Sequence, residues 1–93
     1  MGYGDSLFIL ADMEKSLYTI QQQKLQELLR QIRIDARLRQ TDLAERLGEP
    51  QSFVSKYESG ERRLDVLEIR LICKAVGITF EEFARRLESA LLD

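Results

Sequence analysis

Four polar side chains share one face of a short predicted helix: Gln51, Ser52, Ser55 and Lys56. Their spacing of one, three and one residues places them on adjacent turns of the same side. An amide, two hydroxyls and an ammonium group donate and accept hydrogen bonds, and the face stays narrow because the serines are small. This pattern favours recognition of another molecule's polar edge over bond-making chemistry.

The segment from Gln40 to Leu64 contains this helix and a second one directly before it. Gly48 is predicted to end the earlier helix as a left-handed cap residue, and Pro50 to occupy the first position of the later helix, residues 50–59. Two short helices joined by a tight glycine turn form a helix-turn-helix. The small polar face of the second helix would fit the DNA major groove, which is roughly 12 Å wide.

Three further helices are predicted around this pair, which makes the chain all-α with five helices and short links. The first begins at Lys24 and carries apolar residues at three- and four-residue spacing. Capping-box spacings at Asp65 and Glu68, and again at Thr79 and Glu82, mark the starts of the fourth and fifth helices. The inner face of the fourth helix consists of Ile69, Ile72, Cys73 and Val76.

Residues 1–23 differ in character and are predicted to be an N-terminal extension to a helix-turn-helix domain that spans residues 24–93. The extension has a glycine-containing start, a short apolar run and a polar glutamine tract. Asp5 and Ser6 could cap a short helix, and a short strand through Leu7–Leu10 is the alternative. Met13 is a candidate internal start.

Composition excludes several classes of protein. The chain has no histidine and one cysteine, which argues against disulfide frameworks, Cys/His metal sites and histidine-based catalysis. We therefore expect no cofactor, no metal and no enzymatic activity. No apolar run approaches the roughly 20 residues of a membrane span, and no basic region precedes the short apolar run, so a cytoplasmic protein is expected.

The net charge of −2 does not by itself indicate nucleic acid. The charge is unevenly distributed, however. Residues 30–63 hold eight basic and six acidic residues, whereas the flanks hold six basic and ten acidic ones. Because salt screens charges beyond roughly 10 Å, a local positive stripe on an acidic body can still bind phosphates.

The stretches "LRQTDLAERLGEPQSFVSKYESGERRL" and "ICKAVGITFEEF" resemble the phage repressor/Cro-type helix-turn-helix family, also called the XRE family. The resemblance covers about residues 28–87 and includes the Q-x-x-LA-x-x-LG core, the V-S-x-Y-E-x-G end of the recognition helix and the later A-x-G-I turn. It implies a five-helix lambda-repressor-like fold, sequence-specific binding of double-stranded DNA, and a homodimer on a palindromic operator.

The resemblance also assigns roles to individual positions. Gln40 matches the family's phosphate-contacting glutamine, and Gln51 suits a bidentate contact to adenine. Phe53 is expected to pack or to contact a partner, with a thymine methyl as its alternative target. The expected DNA-binding residues are Gln40, Gln51, Ser52, Ser55, Lys56, Ser59, Arg62, Arg63 and Arg39.

Several positions are expected to be structural. Arg33 and Glu58 occupy the family's places for a partly buried ion pair, and Cys73 is expected to be a core thiol rather than a redox sensor. Arg37 stands where glycine commonly ends the first helix, and Arg39 where serine or threonine commonly caps the second. We hypothesise that these two arginines lower the local stability of the fold and raise its affinity for DNA.

The leading interpretation is a transcriptional regulator of a bacterium or phage, a repressor or autoregulator, that binds an inverted repeat as a homodimer. In a dimer the two recognition helices would lie roughly 34 Å apart. The alternative is a protein-interaction module of the same fold, such as an antitoxin or adaptor. The expected dimer surface is the stripe Phe80, Phe83, Leu87 and Leu91 of the fifth helix, with Leu7, Leu10 and Leu17 as candidate additions. The alternative role of this stripe is to cap the core.

Overall fold

The computed structural model describes the backbone of residues 3–92 and the side chains of residues 18–92. It contains five helices: α1 Tyr3–Asp35, α2 Gln40–Leu47, α3 Gln51–Ser59, α4 Val66–Val76 and α5 Phe80–Leu92. Within residues 3–92 every regular element is helical, which confirms the predicted all-α, five-helix fold. None of these helices contains an apolar stretch that could span a bilayer.

The helices enclose one core. Helix α1 packs against α3 and α5, α2 packs against α3 and α4, and α4 packs against α5. The buried apolar side chains come from all five helices: Leu29, Ile32, Leu43, Ala44, Val54, Tyr57, Ile72, Cys73, Val76 and Phe83. Cys73 is fully buried, as expected of a core thiol, and burial raises its pKa.

Helix α1 is longer than the sequence pattern indicated, because it begins at Tyr3 rather than at Lys24. Its 33 residues run without interruption through the predicted boundary between extension and domain. At 1.5 Å per residue such a helix is roughly 50 Å long. The segment around Leu7–Leu10 therefore adopts the helical alternative. The division at residue 24 stays a prediction, and the side chains of Leu7, Leu10 and Leu17 lie outside the described residues.

Helix ends follow local chemistry. Gly48 and Gly77 end α2 and α4 with φ angles of 67° and 91°, the left-handed conformation that glycine adopts without steric cost. Asp65 and Glu68 form the predicted capping box at α4, with hydrogen bonds of 2.8 and 2.9 Å. At α5, Thr79 Oγ1 accepts the Glu82 N–H at 3.0 Å.

The start of α3 differs by one residue from the prediction. Pro50 precedes the helix as its N-cap, with φ −69° and ψ 157°, and Gln51 is the first helical residue. The fixed φ of proline is compatible with both positions, whereas its extended ψ places it outside the helix. Its carbonyl oxygen accepts the Phe53 N–H at 2.9 Å.

The stripe expected to form the dimer surface on α5 is partly buried. Phe83 is 2% exposed, and Leu87 packs against the core cluster. For Phe83 the prediction of a dimer surface is wrong, because its side chain belongs to the buried core cluster. For Leu87, which is half-buried, it stays a prediction. Leu91 is half-buried, and Phe80, at 37% exposed, is the most accessible of the four.

Helix α1 ends at a strained position. Arg37 has a φ angle of 60°, the only positive φ of a non-glycine residue in the described backbone. The Leu38 N–H donates to the Arg33 carbonyl at 3.2 Å, which closes the helix in the manner of a glycine-terminated helix. A side chain in this conformation costs about 1–2 kcal/mol.

Arg37→Gly is therefore expected to raise the free energy of unfolding by about 1 kcal/mol, because it removes the Cβ from a left-handed position. Arg37→Ala is the matched control, since it removes the same charge and keeps the Cβ. Urea denaturation of both variants at pH 7 measures the difference. Equal stability of the two variants would contradict the argument.

Candidate nucleic-acid interface

The exposed side of α3 presents a continuous polar stripe. Gln51, Ser52, Lys56 and Ser59 are exposed, and Ser55 is half-exposed between them. The opposite side of the helix is fixed in the core by two fully buried residues, Val54 and Tyr57. Because the buried side cannot rotate outward, the polar stripe keeps one orientation relative to the domain. The structure thus brings these five predicted site residues onto one surface.

A chain of hydrogen bonds links the core to the first residue of this stripe. Arg33 Nε and Nη2 donate to the two carboxylate oxygens of Glu58, at 2.7 and 2.9 Å. Glu58 Oε1 also accepts from Gln40 Nε2 at 3.1 Å. Gln40 Oε1 in turn accepts from Gln51 Nε2 at 3.1 Å. We call this series, Arg33–Glu58–Gln40–Gln51, the relay; it connects α1, α2 and both ends of α3.

The first link of the relay is the predicted buried ion pair. The Glu58 side chain is only 4% exposed, and Arg33 makes a third hydrogen bond from Nη1 to the Leu38 carbonyl oxygen at 2.9 Å. The hydrogen bond to Glu58 raises the pKa of Arg33 against the opposing effect of burial. The bidentate geometry holds the carboxylate in one plane, so that its remaining acceptor site faces Gln40.

Two of the predicted DNA-binding arginines are engaged with carboxylates. Arg39 Nε and Nη2 donate to the two oxygens of Asp42, both at 3.0 Å, and the Arg39 backbone N–H donates to Asp42 at 2.8 Å. The guanidinium and then the backbone N–H hold the pKa of Asp42 at about 2, so this pair persists at neutral pH. Asp42 supplies half of a capping box at α2, although arginine has no acceptor to complete it.

Arg62 also forms an ion pair with a carboxylate. Its Nη2 donates to Glu68 at 2.8 Å, and this hydrogen bond lowers the pKa of Glu68. The guanidinium carbon lies 4.8 Å from the centre of the Phe53 ring, which itself packs edge-on against Tyr57. Phe53 therefore supports Arg62 and the core, in agreement with the packing role that was expected.

Lys56 and Arg63 differ from Arg39 and Arg62 in that no carboxylate of the described residues pairs with them. Arg63 instead lies over the Tyr18 ring, with 5.1 Å between the guanidinium carbon and the ring centre. A cation held by an aromatic face keeps its full charge available for an anion. These two side chains are the strongest candidates for phosphate contacts on this surface.

The arrangement is suited to binding. The described residues contain no group of carboxylates and thiols that could hold a metal ion. The stripe, the relay and the two unpaired cations supply oriented hydrogen-bond donors and acceptors next to positive charge. Such a surface matches the edge of a base pair flanked by phosphates.

Comparison with known proteins gives a family model described as a helix-turn-helix, which matches residues 29–83. The structure is also similar to an XRE-family like protein from Pseudomonas syringae pv. tomato str. DC3000. The two chains share 41% identity over 84% of this chain and 95% of that one, with a TM-score of 0.78. The chain belongs to the XRE family of helix-turn-helix proteins.

Other XRE-like folds match at lower identity. The restriction-modification controller protein C.Esp1396I, as a tetramer in complex with its natural 35 base-pair operator, is 23% identical, with a TM-score of 0.72 over 78% of this chain and 96% of that one. A mutant of that controller bound to its highest affinity operator site OM is 25% identical, with the same TM-score and coverage. No curated protein gave a significant match. The predicted family is confirmed, and the individual DNA contacts stay predictions.

Removal of one partner from the buried ion pair is expected to destabilise the domain strongly. Arg33→Met leaves the Glu58 carboxylate buried without its guanidinium, which typically costs about 3–5 kcal/mol. The double variant Arg33→Met with Glu58→Leu removes both charges and is expected to regain part of that loss. Urea denaturation of the single and double variants measures the coupling.

Arg85→Met serves as the control for this experiment, because Arg85 pairs with Glu82 on the solvent-exposed side of α5. Exposed pairs contribute little, so this variant should unfold close to the parent chain. Purely additive effects of the Arg33 and Glu58 substitutions would show that the ion pair is not coupled.

Proposed function

We propose that this chain is a sequence-specific DNA-binding transcription regulator, a repressor or autoregulator, that binds an inverted-repeat operator as a homodimer through α3. The observation that carries this proposal is the relay, which holds the Gln51 amide in one orientation at the start of the recognition helix. Membership of the XRE family supports it, as does the similarity to a controller protein bound to its operator site.

The relay sets the direction in which Gln51 presents its amide. Glu58 is an acceptor, so Gln40 must turn its NH₂ group towards it and its carbonyl oxygen towards Gln51. Gln51 then uses one N–H to reach Gln40, and its carbonyl oxygen and second N–H remain available. This pair, one acceptor beside one donor, complements the N6 amino group and N7 of adenine in the major groove. We infer that Gln51 reads an adenine in each half-site.

The other contacts follow from position and charge. Ser52 and Ser55 are placed to reach a base edge or a phosphate, whereas Lys56 can reach guanine or a phosphate. Gln40 and the N-terminal end of α2 are placed to bind the DNA backbone. Of the arginines, Arg63 is expected to contribute most of the phosphate attraction, because Arg39 and Arg62 are paired with Asp42 and Glu68. Ser59 completes the contact surface.

The regulator is expected to act in the cytoplasm of a bacterium or in a phage-infected cell, and it associates with the nucleoid when bound. It is a binding protein rather than an enzyme on this proposal. The second candidate, an antitoxin or adaptor that keeps this fold, would bind a partner protein and would lack salt-dependent DNA binding. The oriented Gln51 amide favours DNA, since an adaptor has no requirement for it.

The deciding experiment is selection of a random DNA pool with the full chain at two salt concentrations, followed by sequencing. An inverted repeat should emerge, and Gln51→Ala should relax one position of each half-site, a loss of roughly 1–3 kcal/mol in discrimination. Gln31→Ala is the matched control, because Gln31 is exposed on α1 beside Asp35. If no motif emerges and the chain retains no DNA at either salt concentration, the adaptor function takes precedence.

We infer that the dimer surface lies on α4. Val66, Leu67 and Leu71 are 59%, 69% and 56% exposed, an unusual cluster of apolar residues on the solvent side of one helix. Two basic residues of α4, Arg70 and Lys74, line a groove together with the acidic Glu81. In a dimer with a two-fold axis, the basic residues of each copy could pair with Glu81 of the other. We therefore assign this face to a second copy of the chain.

Leu71→Glu is expected to convert the dimer into a monomer, because an isologous interface would bring two added carboxylates close together at its apolar centre. Operator affinity should then fall by at least about tenfold, since one recognition helix reads only a half-site. Leu92→Glu is the matched control, at 82% exposure on α5. Sedimentation and fluorescence anisotropy measure the two effects, and a Leu71→Glu chain that stays dimeric would refute the assignment.

A further inference from the structure

A polar groove lies between α1 and the turn that follows the recognition helix. It has a volume of about 300 Å³ and is formed by Tyr18, Gln22 and Gln26 on one side and by Ser59 and Arg63 on the other. Gly60 forms its floor in a left-handed conformation, with φ 87°, and the Gln26 amide occupies the space beside its Cα. The packing of α1 on α3 brings together the two sides of the groove, which are as many as 45 positions apart in the sequence.

The groove is positive although the chain is acidic. All of its lining residues are neutral except Arg63. The Arg63 guanidinium lies over the Tyr18 ring, which fixes its position without neutralising its charge. The neighbouring Arg62, by contrast, is neutralised by Glu68. Glutamine amides, a serine hydroxyl and an unpaired guanidinium are the groups with which proteins bind the phosphates of DNA.

The groove continues the DNA-facing stripe of α3. Ser59 is the last residue of that stripe and also lines the groove. From Gln51 to Ser59 the helix rises roughly 12 Å, which is about the width of the major groove. When Gln51 meets a base edge, the Ser59 end of the helix therefore lies at the sugar-phosphate backbone. A phosphate at that edge would face Arg63 and the glutamine side of α1.

We propose that this groove, the Tyr18–Arg63 groove, binds a backbone phosphate of the DNA at the edge of the half-site. The inference rests on the proposed function and extends it to α1. Tyr18, Gln22 and Gln26 precede residue 29, where the match to the helix-turn-helix family model begins. The long first helix thus adds a DNA contact from outside the matched region, and it positions Arg63 through the Tyr18 ring.

The test uses the full chain and three variants of the groove. Gln22→Glu places a carboxylate in the groove, Arg63→Gln removes its cation, and Tyr18→Leu removes the aromatic support while it retains apolar bulk. Gln21→Glu is the matched control, because it adds the same charge one residue away at a position that does not line the groove. Affinity is measured by fluorescence anisotropy over a range of salt concentrations, on the selected operator and on a duplex of unrelated sequence.

Gln22→Glu is expected to weaken binding to both duplexes by roughly tenfold more than Gln21→Glu, because the added carboxylate faces a phosphate. Arg63→Gln should reduce the slope of log affinity against log salt by about 0.9, the value for one phosphate contact. Tyr18→Leu should weaken binding with little change of that slope. The preferred operator sequence should remain that of the parent chain in all three variants.

The outcomes separate this inference from the proposed function. If Gln22→Glu and Gln21→Glu weaken binding equally while Gln51→Ala relaxes the operator, the groove does not bind phosphate and the regulator function stands. If the parent chain binds neither duplex, both proposals fail. An unchanged salt slope in Arg63→Gln overturns the inference as well, because a phosphate contact must release counterions.

Discussion

The Arg33–Glu58 ion pair is the interaction on which the recognition surface depends. It joins α1 to the C-terminal part of α3 through two parallel hydrogen bonds, in a place that solvent scarcely reaches. Taking both charges out of water is costly, and the bidentate geometry with the added bonds to Leu38 and Gln40 offsets that cost. Such a pair contributes orientation more than net stability.

The ion pair also orients side chains on the exposed face of α3 through further hydrogen bonds. The carboxylate plane fixes the Gln40 amide, and the Gln40 amide fixes that of Gln51. Because each donor in the series has an acceptor, the exposed glutamine loses conformational freedom before DNA arrives. A preorganised side chain gives up less entropy on binding, which favours both affinity and discrimination between bases. The orientation of the Gln51 amide, the group that we propose reads a base, thus depends on the buried ion pair.

The distribution of charge explains how a chain of net charge −2 can present a surface for DNA. Carboxylates on α2 and α4 hold Arg39 and Arg62, so these side chains are ordered but partly neutralised. Lys56 and Arg63 keep their charge because an aromatic ring or solvent surrounds them instead. Because Arg39 and Arg62 are paired, non-specific attraction to this surface is reduced, and a larger share of the affinity must come from contacts that depend on base sequence.

Much of this fold could be predicted from local patterns, and the errors have identifiable causes. The α4 capping box and the left-handed Gly48 depend on spacings of a few residues, so the sequence reveals them. The full length of α1 was missed because its glutamine tract lacks apolar periodicity. Periodicity also does not distinguish a core stripe from an interface, which is why Phe83 was assigned to a dimer surface. The exposed face of α4 was missed because that helix is apolar on both sides.

Within the site, the stripe on α3 and the ion pair could be predicted from the resemblance, whereas the connection between them could not. Gln40 and Gln51 are 11 residues apart in separate helices, and only the angle of the helix-turn-helix brings their amides together. The pairing of Arg39 with Asp42 had a local signal, an acid three residues after the cap position, which sequence reasoning overlooked. The contact between Tyr18 and Arg63 depends on the length of α1 and had no such signal.

The burial of Cys73 has a practical consequence for the study of this protein. Oxidants and alkylating reagents require an accessible thiolate, and Cys73 is fully buried with a raised pKa. As the single cysteine of the chain, it reacts only when the packing of α4 against α2 and α5 opens. The rate at which a thiol reagent modifies the folded protein therefore reports that opening, without an introduced label. If DNA slows this modification, the decrease in rate measures how strongly DNA binding suppresses the opening of the core.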